Sequence, residues 1–264
     1  MLSLSFTLYK ENPIAVFDSG LGGVSVLREL IRVMPNENYI YFGDSANAPY
    51  GVKTLEEVRE LTCEHAKRLF EDGAKGLVVA CNTATSAAVR VLRETYPTIP
   101  IVGIEPAVKP AVMCKEHPRV LVMATPMTIR EEKFQKLMQR YEDQGEIIPL
   151  PCPGLMDFVE RGDLDGEDLR KYLTELLFEY KHNPVDAAVL GCTHYPFVKK
   201  MISETLGENV MIFDGGNGTA KEMKRRLAEV DLLSDRSKKG TVEFTNSCGD
   251  LKKRELFYKL VEFA

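Results

Sequence analysis

Short, almost continuous apolar runs alternate along this chain with stretches of helical periodicity, and this alternation constrains the fold more than any other feature. Runs of this kind are typical of strands that are buried on both faces of a parallel sheet. They predict strands at PIAVFD (13–18), NYIYFG (38–43), GLVVAC (76–81), PIVGI (100–104), RVLVMA (119–124), EIIPL (146–150), DAAVLG (186–191) and NVMIFD (209–214). Because helical stretches separate these runs, the sequence predicts an α/β protein with mainly parallel sheets.

The stretch TLEEVRELTCEHAKRLF (54–70) is the clearest predicted helix. Thr54 and Glu57 have the spacing of a capping box, in which each side chain accepts a hydrogen bond from a backbone N–H of the first turn. Apolar residues recur at helical spacing along one face, at Leu55, Val58, Leu61, Ala66 and Leu69. We expect this face to pack against a sheet.

The two halves of the chain resemble each other. GLVVACNT (76–83) aligns with AAVLGCTH (187–194), cysteine on cysteine. We therefore predict two similar doubly wound domains with mainly parallel sheets, one formed by residues 1–104 together with 216–264 and the other by residues 105–215. The active site is expected in the cleft between them.

Length and charge exclude several classes of protein. The chain has 264 residues and a net charge of −5, with acidic and basic residues mixed and no basic stripe, which argues against a nucleic-acid partner. No apolar run approaches the roughly 20 residues of a membrane-spanning helix. The start, MLSLSFTLYKENP, lacks the features of a signal peptide and is expected to be a short leader. We expect a cytoplasmic protein without a membrane partner, with reduced cysteines.

Four polar motifs follow predicted strands, at the carboxyl ends where parallel α/β sheets bind ligands. DSGLGG (18–23) follows the first strand and DSANAPYG (44–51) the second. CNTAT (81–85) and CTHYP (192–196) follow the matched strands of the two halves. The two motifs that begin with cysteine pair Cys81 with Cys192.

Two thiols on opposite sides of one ligand could invert a stereocentre. A thiolate is a good base, and a helix N-terminus favours the thiolate form of a cysteine. One thiolate would remove a proton from a tetrahedral carbon, and the other thiol would return a proton to the opposite face. Asp18 in the first half and His194 in the second could assist Cys81 and Cys192.

The cysteines also have simpler interpretations. Free cysteine is commonly a small buried apolar residue, and this is what we expect for the four others, Cys63, Cys114, Cys152 and Cys248. Cys192 and His194 could belong to a zinc site, although the chain lacks a full ligand set of the usual spacing. A Cys81–Cys192 disulfide is disfavoured in a reducing compartment.

The first glycine-rich turn has a rival interpretation. DSGLGG could cradle a dinucleotide, with Asp44 on the ribose, but Ser25 stands where the third glycine of the dinucleotide motif belongs. A plain tight turn before a helix is equally compatible with this stretch.

The polar residues at the predicted strand ends favour a small zwitterion as ligand. They offer hydroxyls, an amide and helix N-termini that could hold a carboxylate, whereas Asp18 could meet an ammonium group. The remaining members of the set are Ser19, Tyr50, Asn82, Thr83 and Thr193. Together they point to an amino acid as the ligand.

FDSGLGG, PYG, ACNTAT, IEPAVKPA and GCTHYP, in this order and spacing, resemble the motifs of bacterial glutamate racemases of the aspartate/glutamate racemase family. The resemblance runs from about residue 13 through the second domain, and the leader and the tail FTNSCGDLKKRELFYKLVEFA depart from it. It implies that Cys81 and Cys192 are the catalytic acid/bases. It matches the substrate-contacting positions to Asp18, Ser19, Tyr50, Gly51, Asn82, Thr83, Thr193 and His194, and places the acidic residue Glu160 near the second thiol.

The resemblance also implies a reaction. The expected activity is interconversion of L- and D-glutamate without pyridoxal phosphate, another cofactor or a metal, supplying D-glutamate for peptidoglycan. Aspartate is the nearest alternative substrate, and a homodimer is compatible with the resemblance. A binding protein without catalysis, built on the same fold, is the alternative of a different class, but such a protein would not need cysteines at two equivalent positions.

Overall fold

The predicted alternation of strands and helices is confirmed in the computed structural model, which describes residues 8–263; the first part of the expected leader lies outside them. The strands are β1 (Ile14–Asp18), β2 (Tyr39–Gly43), β3 (Gly76–Val79), β4 (Ile101–Gly103), β5 (Arg119–Ala124), β6 (Glu146–Pro151), β7 (Ala187–Leu190), β8 (Met211–Asp214) and β9 (Val242–Asn246). The helices are α1 (Val24–Val33), α2 (Leu55–Glu71), α3 (Asn82–Thr95), α4 (Val108–Val112), α5 (Pro126–Arg130), α6 (Glu132–Gln139), α7 (Leu155–Glu160), α8 (Glu167–Leu176), α9 (Phe178–His182), α10 (Lys199–Leu206), α11 (Gly216–Glu229) and α12 (Leu251–Glu262).

The described residues form two compact units. The first takes in the chain up to Ile104 together with Gly216–Glu262, and the second is Glu105–Gly215. Short 3-10 turns occur at Tyr50–Val52 in the first unit and at Tyr195–Val198 in the second. Within residues 8–263, no helix combines the length and the apolar character needed to cross a membrane.

The first unit contains a five-stranded sheet in the order β4-β3-β1-β2-β9, and every pairing in it is parallel. The central strand β1 is fully buried, as its unbroken apolar sequence predicts. Its register with β2 pairs Asp18 with Gly43. The carboxyl ends of these strands therefore lie along one edge of the sheet.

The second unit contains a four-stranded sheet in the order β6-β5-β7-β8, again with only parallel pairings. Strands β5 and β7 lie in its middle, and all four residues of β7 are buried. Part of its core is a cluster formed by Val108, Ala111, Val112, Val120, Val122, Phe134, Ala187 and Val189. Both units thus have a β-sheet whose central strands are covered on both faces.

Helix α2 confirms the predicted capping box, because Thr54 Oγ1 accepts from the backbone N–H of Glu57 and the Glu57 carboxylate accepts from that of Thr54. Its buried face differs from the expected one. Leu55 is exposed, whereas Thr62 and His65 are buried. Leu55 is the first residue of the helix, where fewer neighbouring turns are available to cover a side chain.

Strand β9 was not predicted. Its residues are mostly half-buried and it is an edge strand, paired with β2 from Tyr39↔Val242 to Gly43↔Asn246. An edge strand needs no continuous apolar run, so the periodicity of VEFTN is weak.

Candidate active site

Two polar motifs and one thiol follow the carboxyl ends of adjacent strands in the first sheet. Asp18 ends β1, and the backbone N–H of Asp44, just beyond β2, donates to the Asp18 carbonyl over 2.9 Å. The N–H of Ala80, just beyond β3, donates to the Phe17 carbonyl over 2.7 Å, which fixes the position of Cys81. The register of three parallel strands therefore brings Asp18, Asp44 and Cys81 to the same sheet edge.

Cys81 is the N-cap of α3. Its Sγ accepts from the backbone N–H of Ala84 at 3.5 Å, and the Ser19 hydroxyl donates to the same sulfur at 3.5 Å. The side chain is 7% exposed, so this thiol is buried but not sealed from solvent. Hydrogen-bond donors and the positive end of a helix both stabilise negative charge on a sulfur. The environment of Cys81 therefore suits a group that alternates between thiol and thiolate.

Asp18 is fully buried, and its Oδ1 accepts from the backbone N–H of Gly20 at 2.9 Å. The chain can turn so tightly here because Gly23 has no side chain. A Cβ atom on Gly23 would lie 2.6 Å from the Asp18 Cβ and 3.1 Å from the Ala80 Cβ. The glycines of DSGLGG thus hold Asp18 beside the strand that leads to Cys81, as a tight turn would.

Tyr50 is buried at 1% exposure, and its hydroxyl donates to Asp44 Oδ2 over 2.6 Å. Burial raises the pKa of Tyr50, and the neighbouring Asp44 carboxylate raises it further by a smaller amount. The phenol therefore keeps its proton and donates it in the hydrogen bond to Asp44. Asp44 itself is fully buried and occupied by neighbouring side chains, so it is not placed to hold a ribose, as the dinucleotide interpretation required.

Asn82 and Thr83 form the first turn of α3, and both are buried. The Asn82 Oδ1 atom makes no hydrogen bond with any residue that the structure describes. A buried acceptor without a partner is costly, because it has lost its hydrogen bonds to water. A ligand with a hydrogen-bond donor would satisfy it.

In the second unit, Cys192 follows β7, and a line of three side chains begins at its sulfur. Cys192 Sγ lies 3.6 Å from His194 Nδ1, and His194 Nε2 lies 2.8 Å from Glu160 Oε1. Cys192 is 7% exposed, and Thr193 and His194 are also buried. The structure thus places Glu160, at the end of α7, against the histidine that contacts the second thiol.

The charge on His194 follows from these neighbours. Burial opposes protonation, but the hydrogen bonds and charges of Cys192 and Glu160 outweigh it, so the pKa of His194 lies well above its usual value. A protonated His194 can stabilise negative charge on the neighbouring sulfur and hold a proton close to it.

The four other cysteines do not share one environment. Cys152 is buried as expected, and its Sγ donates to the Leu150 carbonyl over 3.4 Å. Burial raises the pKa of Cys152, and the nearby Cys192 adds a smaller effect in the same direction, so Cys152 stays a thiol. The expectation of a buried residue is wrong for Cys248, which is exposed in the turn after β9, and Cys63 and Cys114 are only half-buried.

His65 is a residue of this region that the sequence did not predict: it lies in the middle of α2, and its Nε2 is 3.1 Å from Asp44 Oδ2. The sequence of this stretch predicts only an amphipathic helix, and a histidine on the buried face of such a helix gives no further signal. Among residues 8–263, no three His, Cys, Asp or Glu side chains group together in a way that could hold a metal ion.

Comparisons with known proteins show which family this chain resembles. The family model for Asp/Glu/Hydantoin racemase matches residues 14–223. A glutamate racemase of Clostridium perfringens is 54% identical over 253 residues, covering 96% of this chain and 97% of the relative.

Two solved structures match along nearly the full length. The glutamate racemase of Francisella tularensis in complex with D-glutamate has a TM-score of 0.83 at 29% identity, and 96% of this chain and 94% of that one are covered. The Escherichia coli glutamate racemase, in a complex that contains L-glutamate, has a TM-score of 0.82 at 27% identity, with 95% and 94% covered. Because the family model and these relatives extend over most of the sequence, including both thiol motifs, the chain belongs to the Asp/Glu/hydantoin racemase family and, within it, to the glutamate racemases.

Proposed function

We propose that this chain interconverts L-glutamate and D-glutamate by proton transfer at Cα between two cysteines, and that it supplies D-glutamate for peptidoglycan. The observation that carries the proposal is the matched setting of Cys81 and Cys192. Each thiol follows the carboxyl end of an interior parallel strand, is almost wholly buried, and has its own polar neighbours. Pairing of this kind suits a reaction that needs one base and one acid of the same chemical type.

The proton balance of the reaction is simple. One cysteine enters as thiolate and takes the proton from Cα, which leaves a carbanion that the adjacent carboxylate stabilises. The other enters as thiol and gives its proton to the opposite face. In the reverse direction the two exchange roles. By resemblance to the family, Cys81 takes the proton from D-glutamate and Cys192 takes it from L-glutamate. The same resemblance implies that no cofactor takes part.

The neighbours of each thiol would support these roles. Ser19 and the N-terminus of α3 stabilise charge on Cys81, and Asp18 lies next to Ser19 in the chain. His194, oriented by Glu160, stabilises charge on Cys192. We therefore assign Asp18 as helper of the first thiol, His194 as helper of the second, and Glu160 as the group that orients His194.

The substrate is a zwitterion with a second carboxylate, and the polar residues provide for both charges. Asn82 Oδ1, buried and without a partner among the described residues, would accept from the ammonium group. The carboxylates would be held by hydroxyl and backbone N–H donors at Ser19, Gly51, Thr83 and Thr193. None of these groups carries a formal charge, which suits a ligand whose own net charge is small.

Reaction in heavy water tests the two-base mechanism. We expect the product to carry deuterium at Cα, because the thiol that returns the proton has exchanged with solvent. The starting enantiomer should acquire little deuterium early in the reaction. Each enantiomer is followed by mass spectrometry after chiral separation. Equal early exchange into unreacted substrate would indicate a single base and contradict the pairing of the thiols.

Replacement of the thiols tests the residue assignment. Cys81→Ala and Cys192→Ala should each abolish racemisation in both directions, since each direction needs one base and one acid. Cys63→Ala is the matched control, because Cys63 is a half-buried thiol in the middle of α2, and its activity should be close to that of the unmodified enzyme. Circular dichroism follows the optical change for either enantiomer. Substantial activity in Cys192→Ala would exclude the assignment.

We also propose that the enzyme acts in the cytoplasm as a homodimer. A reducing compartment would keep both catalytic thiols free. Leu251 and Tyr258, two turns apart on one face of α12, are 74% and 43% exposed, and such apolar exposure suits contact with a second copy. Light scattering on the purified protein gives the mass that decides between monomer and dimer.

A further inference from the structure

One fully buried carboxylate in the first unit, Asp44, has no role in the proton transfers described above. It begins the loop DSANAPYG, residues 44–51, which we call the Asp44 loop. The loop ends at Tyr50 and Gly51, the pair assigned to the substrate. Asp44 is 0% exposed, and an isolated carboxylate at such a site would be strongly destabilised by the loss of its water.

The Asp44 loop folds around this carboxylate. The Tyr50 hydroxyl donates to Oδ2 over 2.6 Å, and Asn47 Nδ2 lies 3.0 Å from Oδ1 and 3.1 Å from Oδ2. The backbone N–H of Asn47 also donates to the Asp44 carbonyl over 3.1 Å. The first residue of the loop is thus bonded to its middle and to Tyr50 near its end, which restrains the whole segment.

His65, from α2, closes the other side of the carboxylate. Its Nε2 lies 3.1 Å from Oδ2, and the ring packs on Phe42 and Phe17 with centroid distances of 4.6 and 5.8 Å. Burial raises the pKa of Asp44, but His65, Tyr50, Ser247 and Asn47 outweigh it, and the pKa lies well below its usual value. Asp44 therefore stays charged and able to accept several hydrogen bonds.

The end of β9 supports the same loop from outside. The Asn246 side chain donates to Ser45 Oγ over 2.9 Å, and the Ala46 N–H donates to Ser247 Oγ over 2.9 Å. These bonds connect the loop to a strand 201 residues further along the chain. The loop is thus held from within by Asp44 and from the edge of the sheet by β9.

We propose that Asp44 is a positioning residue for the substrate: it fixes the Asp44 loop so that Tyr50 and Gly51 present their backbone to glutamate. The Tyr50 hydroxyl donates its hydrogen bond to Asp44 within the loop and does not donate to the substrate. The proposal rests on the proposed function for the identity of the substrate, whereas the anchoring of the loop by Asp44 stands on the hydrogen bonds alone.

The test uses Asp44→Asn, Tyr50→Phe and the double variant. An asparagine oxygen accepts fewer hydrogen bonds than a carboxylate and adds an NH2 group facing other donors, and phenylalanine removes only the hydroxyl. Loss of a buried hydrogen bond to a charged group shifts an equilibrium by about 10- to 100-fold, here the one between the ordered and the displaced loop. We therefore expect each single variant to raise KM for glutamate by about tenfold or more. The kcat value should change by less than about threefold, because the thiols and their helpers are untouched.

The double variant should be little worse than the worse single variant, because both changes break the same bond. Hydrogen exchange of the backbone amides of residues 44–53, followed by mass spectrometry, should be faster in all three variants. Asp186→Asn is the matched control: Asp186 is a carboxylate of the second unit that accepts from the Arg119 N–H at 2.8 Å and from Lys115 at 2.6 Å. Its kinetics and its exchange at 44–53 should be unchanged.

Two results would overturn the proposal: unchanged exchange at residues 44–53 in Tyr50→Phe, or a loss confined to kcat in either single variant. Tyr50→Phe keeps the proposal testable if Asp44→Asn does not fold. Failure of the unmodified enzyme to racemise glutamate would instead contradict the proposed function. The exchange measurement would still decide whether Asp44 holds the loop.

Discussion

The charge of His194 gives the site a pH dependence that can be measured as stability. Its pKa is raised in the folded protein by Cys192 and Glu160, in spite of burial. A group whose folded pKa is raised stabilises the fold fully below its unfolded pKa, here about 6.5, and this contribution is lost as pH rises through the folded pKa. The pair of His194 and Glu160 should therefore stabilise the second unit most under mildly acidic conditions.

Glu160→Gln tests this at the residue scale. We expect the free energy of unfolding to fall relative to the unmodified protein by an amount that is largest from about pH 5 to 6.5 and shrinks as pH rises, because the neutral imidazole gains little from the carboxylate. Urea denaturation over a range of pH values measures the difference. Asp157→Asn, which changes an exposed carboxylate one turn earlier in α7, should show no such trend. A difference that grows with pH would contradict the assigned charge.

Individual site residues differ in how far the sequence could predict them. Cys81 and Cys192 stand at the ends of matched apolar runs, so a local pattern was enough to single them out. Glu160 lies 34 residues before His194, and His65 lies 21 residues after Asp44, with no periodic relation in either case. Contacts of this kind arise from the packing of separate helices on a sheet, and a single sequence has no local signal for them.

At the scale of elements, the turn between β1 and α1 depends on Gly23, whose backbone has the ordinary helical φ of −59°. Alanine would adopt this conformation readily, so the cost of Gly23→Ala comes from its Cβ atom, 2.6 Å from that of Asp18. Overpacking at a buried site costs about 1–3 kcal/mol, and here relief requires Asp18 to move. We expect kcat/KM to fall equally in both directions, since the free enantiomers have equal free energy.

Gly218→Ala is the matched control for this prediction. Gly218 lies in α11, and a Cβ atom there would meet nothing within 4 Å. Alanine should stabilise the helix by up to about 1 kcal/mol and leave the kinetics unchanged. Thermal unfolding and circular dichroism kinetics compare the two variants. A Gly23→Ala enzyme with full activity would show that the turn tolerates displacement of Asp18.

The elements that the sequence predicted are those with one dominant periodicity. The apolar runs of β1 and β3 and the capping box of α2 have clear local signals, and the structure confirms them. Strand β9 has no such signal, since its residues are mostly half-buried and its position is set by pairing with β2. Its contribution to the Asp44 loop could not be foreseen for the same reason.

At the scale of the whole molecule, a buried ion pair joins distant parts of the first unit. Lys75, at 0% exposure, donates to Glu37 Oε2 over 2.6 Å and also to the Lys10 carbonyl. Glu37 Oε1 accepts from the Ser234 N–H over 2.8 Å. The start of the described chain, the approach to β2 and the segment after α11 thus meet at one pair of charges.

Lys75→Met should be strongly destabilising, by about 3–5 kcal/mol, because it leaves the Glu37 carboxylate buried without its cation. Adding Glu37→Gln should recover part of this loss, since an amide oxygen can still accept from Ser234 without carrying a charge. Lys115→Met, which breaks a pair that is half exposed, should cost less than about 1 kcal/mol. Chemical denaturation measures all three. A double variant less stable than Lys75→Met would contradict the explanation from an unpaired charge.

The first unit is made from two stretches of chain separated by the whole of the second, and this has a consequence for biosynthesis. When the ribosome has completed Glu105–Gly215, every strand of the second sheet is already available, but the first sheet still lacks β9 beside β2, and α1 still lacks α11. An unpaired strand edge on a nascent chain is prone to wrong pairing, so the first unit has the greater need for a chaperone. The N-terminal segment is therefore synthesised first, but the unit to which it belongs can complete its fold only after the second unit, when the C-terminal segment has been made.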